Sequence, residues 1–171
     1  LTTAKQIASA MKRAETVLKR RPRTGLAADA PATACWQGGM RVVTRHDGGF
    51  RISTDMPEEL AGTGDQVTPG WLVRAGLASC LATRIAMAAA AEGIDLDAIE
   101  VAASSQSDAR GLLGMAGAPG PGPLEVKLHV RISAPGISPE RLHALVEYSQ
   151  AHSPVSAALS KPVPISLSVE T

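Results

Sequence analysis

The chain switches between two hydrophobic rhythms, and the switches mark its elements. Near the N-terminus Ala4, Ile7, Met11, Ala14 and Leu18 recur at steps of three and four against Lys5, Lys12 and Arg13. This spacing predicts an amphipathic helix over 4–20, which Arg21-Pro22 should end. Strand-like segments follow at Thr33–Trp36, Met40–Thr44 and Phe50–Thr54, the last two joined by the turn residues Asp47-Gly48-Gly49. Together they predict an antiparallel meander. After a Gly- and acid-rich loop over 55–67, Thr68 offers a capping oxygen and Pro69 suits a first helical position. From Trp71 to Ala91 the chain is almost uniformly apolar, interrupted by Arg74 and Arg84, and Gly93 supplies a stop. So apolar a helix should be central and covered on most sides, in part by another subunit.

Beyond it the period falls to two. Residues 98–106 read as a strand and 107–122 as a flexible Gly-rich connection. Leu124, Val126, Leu128, Val130 and Ile132 then alternate with Glu125, Lys127, His129, Arg131 and Ser133, which predicts one face on the core and one in solvent. Ser138-Pro139-Glu140 starts a further helix with Leu142, Leu145 and Val146 as its buried stripe, and Ser153-Pro154 starts another. A last strand is expected over 162–170, where Val163, Ile165, Leu167 and Val169 alternate with Pro164, Ser166 and Ser168; the proline puts it at an edge. The sum is a two-layer α+β architecture, long helices backed by antiparallel sheets. It is organised as a helical extension and linker over 1–31 and one domain over 32–171.

Composition narrows the function. Hydrophobic residues make up 44% of the 171 positions but aromatics only 2%, so the core is aliphatic and a base-stacking platform is excluded. A net charge of +1 gives no general attraction to polyanions, and the basic run Lys12, Arg13, Lys19, Arg20, Arg21 and Arg23 reads as a solvated helix face. No nucleic-acid partner is expected. The uninterrupted apolar run 86–91 is too short to cross a bilayer, so no membrane partner is expected either. No hydrophobic leader precedes the charged first helix, which predicts the cytoplasm. Two cysteines, Cys35 and Cys80, make no disulfide scaffold, and without a CxxC or Cys/His cluster no metal site is expected. There is no GxxxxGK[ST] or GxGxxG, and the proline-rich run 117–123 makes a poor phosphate cradle, so no cofactor is expected.

The thiol is then the reactive group to examine. Cys80 lies in the apolar helix with Arg84 one turn later on the same face, between Leu77 and Leu81. It sits well past Pro69, so an unbroken helix gives it little first-turn dipole assistance; Gly76 would mark any distortion. Cys35, beside Trp36, reads as a buried structural thiol, with an unusual resolving role as the alternative. His152 and Ser153 read as helix-cap residues; no flanking motif makes them a hydrolase pair.

The segment from Thr68 through Ala82 (TPGWLVRAGLASCLA), the segment 108–114 (DARGLLG) and His152-Ser153-Pro154-Val155 occur in the order found in the OsmC/Ohr superfamily, which this chain resembles over about residues 32–170. The resemblance implies an intertwined homodimer with two long central helices and Cys80 at the active site. It implies reduction of organic or small hydroperoxides, in which the thiolate becomes sulfenic acid and a second cysteine captures it. That second cysteine falls at Ser153, which cannot exchange sulfur, so the cycle would be completed by an external thiol reductant, with Cys35 as the alternative resolving thiol. A carboxylate expected before the reactive cysteine falls at Gly70. The arginine beside the thiolate is expected at Arg41, with Arg45 and Arg84 as alternatives, while Arg84, His152, Ser153, Leu77 and Leu81 would shape the pocket. The competing function class is a nonenzymatic, stress-related protein of the same fold that binds small apolar ligands.

Overall fold

The computed structural model describes residues 2–161 and 163–171. Five helices, α1 (Ala4–Arg20), α2 (Pro69–Ala91), α3 (Ala109–Leu112), α4 (Pro139–Ala151) and α5 (Pro154–Ser160), accompany five strands. The strands are β1 (Ala32–Gly38), β2 (Arg41–His46), β3 (Arg51–Thr54), β4 (Ala98–Gln106) and β5 (Glu125–Ser133). The fold is α+β with antiparallel sheets, and the chain forms two compact units, residues 12–75 and residues 1–11 with 76–171.

The first unit is built on the meander β1-β2-β3. The turn after His46 sets the register: Val42 faces Thr54 and Arg45 faces Arg51. Continuing the same register brings Asp55 across from Arg41, a point the site depends on.

In the second unit α2 and α4 cover one face of the β4-β5 hairpin. Leu81, Ile85, Ala88 and Ala89 of α2, with Ile94 and Leu145, form the buried core, and Ile99, Val101, Leu128, Val130 and Ile132 pack on it from the strands. The other half of the β5 alternation departs from expectation: at the end of the hairpin Leu124 is 58% and Val126 39% exposed. Helix α1 opens with a capping box, Thr3 Oγ1 accepting the Gln6 N–H while Gln6 Oε1 accepts the Thr3 N–H. Thr68 Oγ1 accepts the Trp71 N–H at the start of α2. At its far end Gly93, at φ 69°, donates to the Ala90 carbonyl while Ile94 donates to that of Ala89, a Schellman ending that needs a residue at ease in the left-handed region.

Three expectations are corrected here. The connection after β4 is not wholly irregular, because Asp108 caps the short helix α3 by accepting the Arg110 N–H. Helix α2 runs unbroken through Gly76 and, taken whole, is long and apolar enough to cross a membrane by length and composition. Its buried stripe, Leu81, Ile85, Ala88 and Ala89, belongs to the core just described. The expected terminal strand does not form: residues 163–171 have no regular structure, and Pro162 lies outside the described residues.

Candidate functional site

Cys80 projects from the middle of α2, half-buried, between the core residues Leu77 and Leu81. The helix is continuous from Pro69, so the thiol gains nothing from a helix N-terminus. Its polar contact comes from 73 residues away. Ser153 Oγ donates a hydrogen bond to Cys80 Sγ at 3.2 Å. Ser153 is 1% exposed and occupies the position before Pro154 at the start of α5, yet its side chain makes no cap bond. The expectation that Ser153 caps its helix is therefore corrected: its hydroxyl turns to the sulfur. A serine O–H aimed at sulfur suits the electron-rich form of a thiol.

Arg84 lies one turn beyond Cys80 on the same helix. One of its nitrogens approaches Met87 Sδ at 3.7 Å, while Nε is buried with no hydrogen-bond partner among the described residues. A guanidinium N–H left in that state is an open donor within the unit that carries the thiol. His152, by contrast, is exposed; its ring packs on Tyr148 at 4.2 Å and its Nδ1 meets the Tyr148 carbonyl at 2.8 Å, so it serves the end of α4.

Leu77 and Leu81 also line a cavity of about 450 Å³ with Val126, Leu128, Val146 and Leu159. Ser156, one turn beyond Ser153, is on its wall. The wall is mostly apolar, with Glu147, Gln150, Ser156 and Ser160 as its polar members, a composition that suits a small-molecule site.

Arg41 is held in the sheet unit. Its Nε donates to Asp55 Oδ2 at 3.0 Å and its Nη2 to Thr63 Oγ1 at 2.6 Å, and Nη2 also pairs with Asp65. Thr63 in turn donates to Asp55 Oδ2 at 2.7 Å and sits against Asp65. One hydroxyl proton cannot serve both carboxylates at once, so the arginine is what holds them together. Asp55 is 2% exposed, and its carboxyl lies below the usual aspartate range, chiefly through the Thr63 hydroxyl and then the Met56 amide, against the cost of burial. Asp65 is lowered in the same way, by Thr63 first and then by Arg41. Arg41 is thus bound by two carboxylates, Asp55 and Asp65, from the loop after β3. Sequence reading missed Asp55, Thr63 and Asp65, although a hairpin centred on Gly48 already pairs positions 41 and 55.

Cys35 is half-buried, not sealed, and Trp36 beside it is 72% exposed. Strand alternation explains the error: Trp36 faces solvent, so it offers Cys35 no cover.

The family model for OsmC-like proteins matches residues 62–168, more than half of the chain and all of the Cys80–Ser153 site. The chain belongs to this family. An OsmC-like protein from Mycoplasma pneumoniae superposes with a TM-score of 0.67 at 19% identity, covering 80% of this chain and 91% of the other. An organic hydroperoxide resistance protein from Legionella pneumophila gives 0.59 at 27% identity over 78% and 91%. Another from Elizabethkingia anophelis gives 0.61 at 24% over 80% and 91%. No curated protein matches the chain. In this OsmC-like chain, then, the candidate site is a half-buried thiol with a serine hydroxyl as its hydrogen-bond donor.

Proposed function

We propose that the protein is a cytoplasmic homodimer that reduces organic or small hydroperoxides through Cys80, with an external low-molecular-weight or protein thiol as reductant. The observation that carries this reading is the Ser153 Oγ–H donated to Cys80 Sγ, with Leu77 and Leu81, the neighbours of Cys80 along α2, on the wall of a cavity. The sulfur anion attacks one peroxide oxygen; the O–O bond breaks, the alkoxide leaves and takes up a proton, and Cys80 becomes sulfenic acid. Ser153 cannot form a disulfide. A first external thiol therefore displaces water from the sulfenic sulfur, and a second frees Cys80 as the external pair leaves oxidised. Leu77 and Leu81 contact the substrate's apolar part. The unpaired Nε makes Arg84 the arginine in the same unit suited to the charge that develops; Arg41, oriented by Asp55 and Asp65, keeps the role the family resemblance gives it.

Peroxide consumption in the presence of excess thiol tests the assignment. Cys80→Ser should lower the rate by about two orders of magnitude or more, since a reaction routed through one nucleophile has no substitute for it. Equal rates in both proteins would sink it. Binding of a small apolar ligand by both would then favour the nonenzymatic reading, which the 450 Å³ cavity also suits.

A further inference from the structure

The β1-β2-β3 sheet holds the second thiol in a different chemical setting. Arg45 Nη2 donates to Cys35 Sγ at 2.9 Å. The β1-β2 register sets Cys35 against Val43, so Arg45 lies two residues along on the same face, and the β2-β3 register puts Arg51 directly across from Arg45. Cys35, Gln37, Val43, Arg45 and Arg51 line one cavity of about 170 Å³.

Two arginines opposed across a ladder repel each other, and an acidic partner normally relieves the pair. Here none does. Among the described residues, neither Arg45 nor Arg51 is in an ion pair, unlike Arg41, Arg110, Arg131 and Arg141. Arg45 and Arg51 therefore present uncompensated positive charge beside a half-buried sulfur, with room for a small group. Guanidinium forks match carboxylates in both shape and charge.

We propose that Cys35, Arg45 and Arg51 form a second thiol site that takes up a carboxylate-bearing low-molecular-weight disulfide and keeps half of it as a mixed disulfide. Cys35, its proton released to solvent, attacks one sulfur of the small disulfide. A new S–S bond forms at Cys35 as the old one breaks, and the other half leaves as a thiolate that takes up a proton. Cys35 is oxidised and the departing half is reduced, so no further oxidant is needed. Arg45 and Arg51 hold the carboxylates during attack and afterwards. This site does not depend on peroxide chemistry at Cys80.

The test uses the full-length Cys80→Ser protein, in which Cys35 is the one thiol. It is incubated with glutathione disulfide, with neutral 2-hydroxyethyl disulfide or with cationic cystamine. Adduct formation is followed by intact mass and located by peptide mapping. Glutathione disulfide should load Cys35 at least about tenfold faster than cystamine, with the advantage shrinking as salt is raised. Arg51→Gln should cut that advantage by about threefold or more. Equal rates for the anionic and cationic probes, a faster rate for cystamine, or an adduct in denatured protein only would each overturn the proposal. Should Arg51→Gln fail to fold, the charge preference and its salt dependence in the Arg51-containing protein decide alone.

Discussion

At the scale of residues, the segment around Cys80 marks it as a candidate, but says nothing of how Ser153 behaves. A serine before a proline at a helix start normally turns to the backbone, and nothing local says that a sulfur 73 positions away wins. That geometry makes a prediction. Ser153→Cys places a second sulfur against Cys80, and with one equivalent of peroxide it should convert both to a disulfide, leaving one free thiol, that of Cys35. Wild-type protein should instead yield a dimedone-trappable sulfenic acid at Cys80. Failure of the variant to lose two thiols would show that the Ser153 position is not poised for capture. Arg41 was a candidate as well, but its setting was not legible, because the loop over 55–67 reads as mere acidic linker until the hairpin register is drawn. Asp55 and Asp65 both have lowered folded pKa values, so they add stability that is complete above the ordinary aspartate range of about 3.9. It is lost as pH falls from there through the folded values. Asp55→Asn should therefore lower the urea midpoint at pH 7, and the gap to wild type should close below about pH 4. An unchanged midpoint at pH 7 would mean the cluster holds nothing together.

At the scale of elements, helices α1, α2 and α4 and strand β4 follow their periodicity and caps closely, because long elements average many weak preferences. Short ones depend on single contacts, which is why α3 was hidden in a Gly-rich connection. Backbone approach at glycines is equally silent in sequence, and two positions predict opposite signs. At Gly62 an added Cβ would lie 1.7 Å from the Met56 carbonyl oxygen, while the Gly62 N–H bonds to Pro57 at 3.1 Å. Gly62→Ala must open the loop that carries Thr63 and Asp65 to Arg41. It should cost at least about 3 kcal/mol. At Gly76, inside α2, an added Cβ meets nothing within 4 Å, and Gly76→Ala should stabilise by about 0.5–1 kcal/mol through helix propensity. Thermal unfolding of the two variants checks both, and a stable Gly62→Ala protein would show that this turn tolerates a different path.

At the scale of the molecule, the one strongly patterned segment that stays unpaired carries the argument. Residues 163–169 keep the alternation of a half-buried strand, yet Ile165 is 94% and Leu167 88% exposed. A strand cannot stand alone: its amides need a ladder and its apolar face needs a surface. The period of two over 163–169 is thus a local preference that the single chain does not realise as a strand. In the homodimer proposed above, a second copy provides both sheet edge and apolar cover. Sedimentation at micromolar concentration should then give twice 17.6 kDa. Removing residues 163–171 should raise the dimer dissociation constant at least about tenfold, since tenfold is about 1.4 kcal/mol and burying one leucine side chain can supply that. A monomeric full-length chain would refute the dimer. A truncated protein that dimerises as tightly as the full chain would leave the dimer standing but assign its interface to other apolar side chains, of which Trp36 and Phe50 are among the most exposed.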